Sequence, residues 1–361
     1  MTIGLPRNAL ASLALYKPGK SAAAAEAQHG ISNAIKLASN ENPYPTAPSV
    51  VAAIAKAATG LNRYPDNLTT KLRDAISDWI SVDASNIAVG PGSVALLQQL
   101  TMAYLDPGDQ VAYPWISFEA YPITVNMMAG ESVLVDLVDL AFDLNAVAAA
   151  IGDRTKLVFL ATPNNPTGTA VSTTEIAAFL ADVPEHVVVV VDEAYREFAD
   201  PAFGDSVHDL VQHHSNVVVC RTFSKAYGLA GLRAGYAVAQ PDLIDVINKV
   251  MIPFANNSLA QVAAIAAIKA VDEIQPSIDT IIAERARVTQ ILREHGYDVM
   301  DSQANFVWLP LGDETVEVHT NLEQLGIICR PFAGHGIRVT IGTPEENDRF
   351  CTSLTSVHSV S

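Results

Sequence analysis

Short apolar runs alternate with segments of helical apolar spacing from about residue 86 onward. Short runs rich in β-branched residues are typical of strands, whereas apolar residues about three to four positions apart are typical of amphipathic helices. The predicted strands are Asn86–Val89, Gln110–Tyr113, Ser132–Val135, Lys156–Ala161, Val187–Val191, Val217–Arg221 and Tyr236–Ala239. Between them, Val94–Leu105 and Thr173–Leu180 have helical spacing. The pattern predicts an α/β fold with a mainly parallel sheet and helices on both of its faces.

The pattern changes after about residue 257, which indicates a second domain. Two long helical segments precede two short strand-like runs: 258–273, 276–296, Phe306–Leu309 and Ile337–Ile341. We therefore predict a large domain over residues 40–257 and a smaller α+β domain over residues 258–361. Residues 1–39 are too few to fold alone and are predicted to pack on the other two parts.

Composition is that of a globular protein with a full core. Of the 361 residues, 49% are hydrophobic and 17% are charged, so apolar surface is ample. The formal net charge of −17 argues against a nucleic-acid partner, because phosphate backbones attract basic surfaces. The three cysteines have neither disulfide-framework nor zinc-ligand spacing, as expected in a reducing compartment. Without an apolar run near the ~18 residues of a membrane span or a signal-like N-terminus, the sequence predicts a cytoplasmic protein with no membrane partner.

A glycine-rich turn follows the first predicted strand. Gly90-Pro91-Gly92-Ser93 leads into a helix that begins near Val94, and such a turn offers backbone N–H groups and the helix dipole to a phosphate. The two glycines and Ala95 also fit the dinucleotide pattern G-x-G-x-x-A. The next strand, however, ends in Tyr113-Pro114 instead of an acid for the ribose. A purely structural turn is the third interpretation.

Two further strands end in polar residues, at the position where parallel sheets gather ligands. Lys156–Ala161 leads into Pro163–Gly168, which is either a simple turn or a rigid loop that places Asn165 on a cofactor oxygen. The five valines of Val187–Val191, typical of a strand buried on both faces, end at Asp192. A carboxylate in so apolar a setting is costly unless paired or solvated, so Asp192 is either a ligand-binding acid or an exposed helix cap.

The segment after Val217–Arg221 combines a lysine with hydroxyls and an arginine. Most lysines are solvated surface charges, but Lys225 follows a predicted buried strand closely. Its neighbours Thr222, Ser224 and Arg233 supply two hydroxyls and a guanidinium, a mixture that binds phosphate.

Taken in this order, the motifs resemble those of fold-type I aminotransferases that depend on pyridoxal 5′-phosphate (PLP). More narrowly, the chain is similar to the histidinol-phosphate and aromatic amino acid aminotransferase family, among the class II aminotransferases. The matching motifs are Leu37–Pro43, Asn62–Asp66, Asn165–Gly168, Asp192–Tyr195, Ser224-Lys225, Arg233 and Ile337–Thr343. Because they span essentially the whole chain, the resemblance implies the fold-type I fold, the PLP cofactor and transamination.

The resemblance implies three catalytic residues. Lys225 would hold PLP as a Schiff base and then move the proton at the substrate α-carbon. Asp192 would pair with the pyridine nitrogen and keep it protonated; at an effective dielectric of about 20 such a pair is worth ~4 kcal/mol before desolvation. Tyr195, together with Asn165, would hydrogen-bond the phenolic oxygen of the cofactor.

The remaining cofactor contacts are implied in the same way. The phosphate would be held by Gly92, Ser93, Val94, Thr222, Ser224 and Arg233. Phe118 would stack on the cofactor ring. Tyr64 would reach the phosphate in the neighbouring subunit, which implies a homodimer. Val94 stands where the family often has an acidic residue, so only its backbone contact is expected to remain.

Substrate choice is the point on which the resemblance leaves alternatives. Arg338, with Asn40, would bind the α-carboxylate, because a planar guanidinium matches a carboxylate. Discrimination between side chains would fall to Tyr16, Tyr121, Asn305 and Arg330. The segments Arg330–Gly336 and Trp115–Tyr121 favour aromatic amino acids, with 2-oxoglutarate or glutamate as the exchange partner. Histidinol phosphate is the alternative, and its phosphate usually needs more than one fixed cation.

Other functions would retain most of these cofactor residues. Threonine-phosphate decarboxylases and carbon–sulfur lyases are alternatives of this kind, because all of them bind PLP and its phosphate. A transcription regulator with an aminotransferase-like domain would need a DNA-binding module, for which residues 1–39 are too short and insufficiently basic. No metal site is expected.

Overall fold

The computed structural model describes residues 4, 7–11, 13, 15 and 19–358. The α-helices in these residues are α1 (Ala22–His29), α2 (Pro48–Ala57), α3 (Thr70–Ile80), α4 (Ser93–Tyr104), α5 (Ala120–Met127), α6 (Leu144–Ala149), α7 (Thr173–Leu180), α8 (Pro241–Lys249), α9 (Ser258–Lys269), α10 (Val271–Glu294), α11 (Thr315–Gln324) and α12 (Pro344–Val357). The strands are β1 (Ile35–Lys36), β2 (Ile87–Gly90), β3 (Gln110–Trp115), β4 (Glu131–Asp136), β5 (Thr155–Ala161), β6 (Val188–Asp192), β7 (Val217–Thr222), β8 (Gly235–Ala239), β9 (Phe306–Leu309), β10 (Ile327–Ile328), β11 (Arg330–Phe332) and β12 (Gly336–Thr340). None of the described helices is both long and apolar enough to cross a membrane.

The main sheet has seven strands in the order β2-β8-β7-β6-β5-β3-β4. Strand β8 runs antiparallel to its neighbours β2 and β7, and the other neighbouring pairs are parallel. These are the seven strands that the sequence predicts, with ends that differ by no more than two residues. The α/β class and the mainly parallel sheet are therefore confirmed.

Alternate residues of the central strands pack into two separate apolar clusters. In β6, Val189 and Val191 belong to one cluster, whereas Val188 and Val190 belong to the other. Helices α3, α7 and α9 contribute to the first cluster, and α4, α5 and α8 contribute to the second. Because side chains alternate across a strand, a strand covered on both faces needs the unbroken valine run that the sequence has.

The strands outside the main sheet form two smaller sheets. Strands β11, β12 and β9 form an antiparallel sheet in that order, and β1 pairs in parallel with β10. Ile35 lies opposite Ile327, so the chain before residue 39 contacts the C-terminal part. The domain boundaries at residues 39 and 257 stay predictions.

Candidate active site

The carboxyl ends of β2, β5, β6 and β7 lead into one cavity of about 260 Å³. Strands of the same direction bring these ends to one edge of the sheet, so residues distant in sequence meet there. The predicted site residues that line the cavity are Asn40, Ser93, Val94, Phe118, Asn165, Asp192, Tyr195, Thr222, Ser224, Lys225, Arg233, Arg330 and Arg338. Those that are described but do not line it are Gly92, Tyr64, Tyr121 and Asn305. Tyr16 lies outside the described residues.

Asp192, the last residue of β6, is a buried carboxylate with one unpaired oxygen. Its Oδ2 accepts a hydrogen bond from the Tyr121 hydroxyl at 3.1 Å, whereas Oδ1 has no hydrogen-bond partner among the described residues. Burial raises the pKa of Asp192 to about 6, and the hydrogen bond from Tyr121 acts in the opposite direction. Because an unpaired buried oxygen is costly, the site suits a cationic nitrogen that would pair with it.

Lys225 holds its amine in surroundings that disfavour positive charge. The Nζ atom donates a hydrogen bond to the backbone oxygen of Ser39 at 3.1 Å. Burial lowers the pKa of Lys225 to about 7, and the positive charges of Arg338 and Arg233 add to this effect. A lysine with such a pKa is partly neutral near pH 7, as an amine that acts as a nucleophile or base must be.

The residues predicted to bind phosphate surround the N-terminus of α4. Gly92 has a φ of 88°, and a Cβ at this position would lie 2.3 Å from Nη2 of Arg233, so glycine is required. The Thr222 hydroxyl donates to Ser224 Oγ at 2.9 Å, and Arg233 Nη1 donates to the same oxygen at 3.3 Å. Helix N–H groups, two hydroxyls and a guanidinium thus lie together, which suits a phosphate.

A hydrogen-bonded network of amides supports Tyr195 on another wall of the cavity. Asn40 Nδ2 donates to the Tyr195 hydroxyl oxygen at 2.9 Å, and Asn40 Oδ1 accepts from the Thr340 hydroxyl at 3.0 Å. Asn305 Nδ2 donates to the backbone oxygen of Asn40 at 3.2 Å. The amide of Asn40 is therefore engaged within the protein, and the substrate roles of Asn40 and Asn305 stay predictions.

Two arginines reach the cavity from the three-stranded sheet. Arg330 in β11 and Arg338 in β12 lie opposite each other. Arg338 donates to Asn165 Oδ1 and, at 2.6 Å, to the backbone oxygen of Ala38. Arg330 forms a bidentate pair with Glu119, with N···O distances from 2.6 to 3.1 Å.

Comparison with known proteins shows the family. Residues 32–354 match the family described as aminotransferase class I and II. The chain belongs to this family. An aromatic amino acid aminotransferase from Mycobacteroides abscessus is 48% identical in sequence to this aminotransferase. The match covers 95% of the present chain and 96% of the relative. One from Thermobifida fusca is 47% identical over 96% of the chain and 95% of the relative.

A solved structure has the same fold across nearly the whole aminotransferase. The histidinol-phosphate aminotransferase from Sinorhizobium meliloti, in complex with pyridoxal-5′-phosphate, superimposes with a TM-score of 0.91 at 30% identity. The match covers 99% of this chain and 98% of that one. The fold-type I fold, the aminotransferase activity and the PLP cofactor are thereby confirmed at the level of the family.

The cavity of this aminotransferase fits PLP at both of its ends. The unpaired Oδ1 of Asp192 suits the pyridine nitrogen, and the turn at Gly92 with Ser224 and Arg233 suits the phosphate. Lys225 lines the same cavity. The contact of each residue with the cofactor stays a prediction.

Sequence reasoning missed Glu119, which lines the cavity beside Phe118. Glu119 directly precedes α5 and lies within Trp115–Tyr121, the segment whose aromatic residues favoured an aromatic substrate in the sequence analysis. The signal that could have identified it is an acid among aromatic side chains, next to the predicted ring-stacking position. Its partner Arg330 lies 211 residues away, so the pair itself was not visible in the sequence.

Tyr64 lies on the surface of its own chain and outside the cavity. Its side chain is 82% exposed and stacks on Phe254, with ring centroids 4.6 Å apart. Three other exposed apolar side chains lie close to Tyr64 or Phe254 in the sequence: Leu61, Leu68 and Ile252. We call these five residues the Tyr64 surface. Exposed apolar surfaces of this kind are typical of interfaces between proteins.

Proposed function

We propose that this aminotransferase exchanges amino groups between aromatic amino acids of the phenylalanine or tyrosine type and the 2-oxoglutarate/glutamate pair. Relatives that are 47% and 48% identical across nearly the whole chain are named aromatic amino acid aminotransferases. The structural observation that carries the proposal is the Arg330–Glu119 pair, because it neutralises the one lining cation among the described residues that is assigned neither to PLP nor to the α-carboxylate.

The charges in the cavity favour an uncharged substrate side chain. Among the described residues, the cations that line it are Lys225, Arg233, Arg330 and Arg338. Lys225 and Arg233 belong to the part that suits PLP, and Arg338 is assigned to the α-carboxylate that every amino acid carries. Arg330 is compensated by Glu119. The phosphate of histidinol phosphate would need more than one fixed cation, and leaving it unpaired in a closed site costs several kcal/mol.

Lys225 is the proposed catalytic amine. PLP, when bound, supplies a sink for the electrons left at the substrate α-carbon. With its lowered pKa, Lys225 Nζ would accept the proton from the substrate α-carbon and return it on the cofactor side. Asp192 would keep the proton on the pyridine nitrogen, and the Tyr195 hydroxyl would donate a hydrogen bond to the phenolic oxygen.

The remaining residues bind and orient. Because Asn165 Oδ1 accepts from Arg338, its Nδ2 is directed to donate to the phenolic oxygen. Phe118, which lines the cavity, would cover one face of the cofactor ring. The proposed phosphate ligands are Gly92, Ser93, Val94, Thr222, Ser224 and Arg233. Arg338 binds the α-carboxylate and, through Asn165, links substrate recognition to the cofactor.

The proposed assembly is a homodimer in which Tyr64 reaches the phosphate in its partner's cavity. The Tyr64 surface supports this, because it is apolar and exposed in the single chain. Mixing Tyr64→Ala with Lys225→Ala, each impaired alone, should restore part of the activity, since one site of the heterodimer then has both residues intact. Heterodimers that form without recovered activity would contradict the shared site.

We also propose that the protein works in the cytoplasm. The cysteines Cys220, Cys329 and Cys351 are free and buried, as is usual for a protein of a reducing compartment.

A side-by-side substrate panel tests the proposed substrate. Phenylalanine and tyrosine, each with 2-oxoglutarate, should give at least about tenfold higher kcat/KM than histidinol phosphate, because an unpaired phosphate is penalised in this cavity. A histidinol-phosphate kcat/KM that is tenfold higher instead would replace the proposal with histidinol-phosphate transamination. Decarboxylated or eliminated products would point to the lyase alternatives.

Borohydride labelling tests the assignment of Lys225. Reduction of the wild-type holoenzyme should fix PLP to Lys225, and Lys225→Ala should be inactive and unlabelled. Peptide mapping identifies the labelled lysine. Label on another lysine would overturn the assignment.

A further inference from the structure

Glu119 and Arg330 bridge two separate parts of the fold at the cavity. Glu119 directly precedes α5, which packs on the main sheet, whereas Arg330 lies in β11 of the three-stranded sheet. The guanidinium donates to both carboxylate oxygens, from Nε to Oε2 at 3.1 Å and from Nη2 to Oε1 at 2.8 Å and to Oε2 at 2.6 Å. Both residues line the cavity, so the pair forms part of its wall.

The proposed reaction places conflicting demands on this wall. The same cavity must accept an aromatic ring in one half-reaction and the distal carboxylate of glutamate or 2-oxoglutarate in the other. A fixed unpaired cation would favour the dicarboxylate, and a wall without a cation would favour the ring. A cation that is held by an internal carboxylate and can be released satisfies both.

We propose that Glu119 is a specificity-determining residue that holds Arg330 while an aromatic substrate is bound and yields it to the distal carboxylate of a dicarboxylic substrate. The inference rests on the proposed function, since it assigns a device for the two substrates of that reaction. Glu119 stands in for the substrate carboxylate, because both present two oxygens to the same planar guanidinium.

The exposure of the pair makes such an exchange feasible. The side chains of Arg330 and Glu119 are 13% and 35% exposed, so a displaced Glu119 carboxylate can turn to solvent. The buried pair of Arg221 and Glu193 is only 2% and 5% exposed, and neither member could be released without leaving a buried charge unpaired. One carboxylate can replace the other because the substrate carboxylate would pair with Arg330 while Glu119 turns to solvent, so no buried charge is left unpaired.

The test compares two unreactive ligands on the holoenzyme. Glutarate carries a distal carboxylate, and 3-phenylpropionate carries a ring in its place; both keep the carboxylate assigned to Arg338. Binding is followed through the absorbance of the bound cofactor. Glu119→Gln should bind glutarate about threefold to tenfold more tightly than wild type, because Arg330 no longer has to leave a charged partner. Binding of 3-phenylpropionate should change by less than about twofold.

Two further variants separate this role from a purely structural one. Glu131→Gln is the matched control, because Glu131 pairs with Arg154 at 2.9 Å on the exposed edge strand β4, and neither residue lines the cavity. It should leave both dissociation constants unchanged. Arg330→Gln should weaken glutarate by at least about fivefold and spare 3-phenylpropionate.

Unchanged glutarate binding in Glu119→Gln would overturn the proposal. So would an equal change for both ligands, or a fall in Tm without a change in the ratio of the two dissociation constants, since the pair would then only tie the two parts of the fold together. The substrate proposal is contradicted by a different result, a wild-type preference for histidinol phosphate in the substrate panel. The ratio of the dissociation constants for glutarate and 3-phenylpropionate can still be measured and interpreted in that case.

Discussion

Asp192 and Glu193 are consecutive acids at the end of β6, and both are only 4% exposed. They differ in their partners. Asp192 leaves Oδ1 without a hydrogen-bond partner among the described residues, whereas Glu193 Oε2 accepts from Nε of Arg221 at 2.7 Å. Arg221 also pairs with Asp205 at 2.6 Å. Burial alone therefore does not distinguish the two acids, whereas the unpaired oxygen of Asp192 does.

The physical reason for the difference is the alternation of side chains at a strand end. Successive residues point to opposite sides, so Asp192 lines the cavity while Glu193 points away from it. Arg221 precedes Thr222 in the adjacent strand β7, and its pair with Glu193 ties the ends of the two strands together. The paired acid thus links the two strand ends from which Asp192 and the proposed phosphate ligands Thr222 and Ser224 extend.

Removing the charge of Asp192 should give the largest effect. Asp192→Asn would deprive the pyridine nitrogen of its proposed counter-ion, and a bias of ~4 kcal/mol corresponds to a loss of about a thousandfold in kcat. PLP should still bind, since the phosphate ligands are separate. The measurement is single-turnover kinetics with phenylalanine. A kcat within about threefold of wild type would contradict the role of Asp192.

The same variant should stabilise the protein once PLP is removed. The pKa of Asp192 is raised to about 6 by burial, so the folded protein binds more protons than the unfolded chain between pH 3.8 and about 6. Stability contributed by this group is present below that window and is lost as the pH rises through it. The Tm gain of Asp192→Asn should therefore be greatest above pH 6 and disappear near pH 4. A pH-independent Tm difference would contradict the assigned pKa.

Glu193→Gln makes the same chemical change one residue later and should act on stability. Weakening a buried ion pair while Arg221 stays buried costs about 3 kcal/mol in the free energy of unfolding, measured by urea denaturation. Turnover per folded molecule should stay within about threefold of wild type, because Glu193 does not line the cavity. A large loss of turnover with unchanged stability would reverse the assignment of the two acids.

The residue pattern alone located the parts of the site in which chemistry follows a strand closely, whereas Asn40, Arg330 and Arg338 were predicted from the family resemblance. Lys225, Thr222 and Arg233 lie within one short segment, so their types and order were informative. Which charged residues pair with each other, in the site or beside it, could not be predicted, because the partners come from distant segments. Glu193 and Arg221 are 28 residues apart and Glu119 and Arg330 are 211 apart, and no local pattern records either pair.

The direction of one strand in the fold could not be predicted from local sequence either. The strand pattern located β8 but not its antiparallel direction, which depends on the connection that precedes it. Between Thr222 and Gly235 the chain has only the short 3₁₀ turn Ala230–Leu232 and no crossover helix, so β8 returns antiparallel to β7.

Tyr121→Phe should give the smallest effect and sharpens the account of Asp192. The sequence suggested that Tyr121 faces the substrate side chain, whereas its hydroxyl donates to Asp192 Oδ2 at 3.1 Å in the buried interior. Loss of a hydrogen bond to a charged group is worth about 1.5 kcal/mol, so kcat should fall about tenfold. With this donor gone, the pKa of Asp192 should rise further, and the acidic limb of the pH–kcat profile should move to higher pH.

Tyr113→Phe is the matched control for this variant. It removes a similar hydroxyl from the same aromatic cluster, but that hydroxyl donates to Ser132 Oγ at 2.7 Å and does not contact Asp192. It should therefore leave kcat and the pH profile unchanged. If Tyr121 instead contacts the substrate, Tyr121→Phe will raise KM for phenylalanine relative to glutamate and leave the acidic limb in place. The profile of kcat against pH thus distinguishes a residue that holds Asp192 from one that selects the substrate, because only the former is coupled to the protonation of the acid.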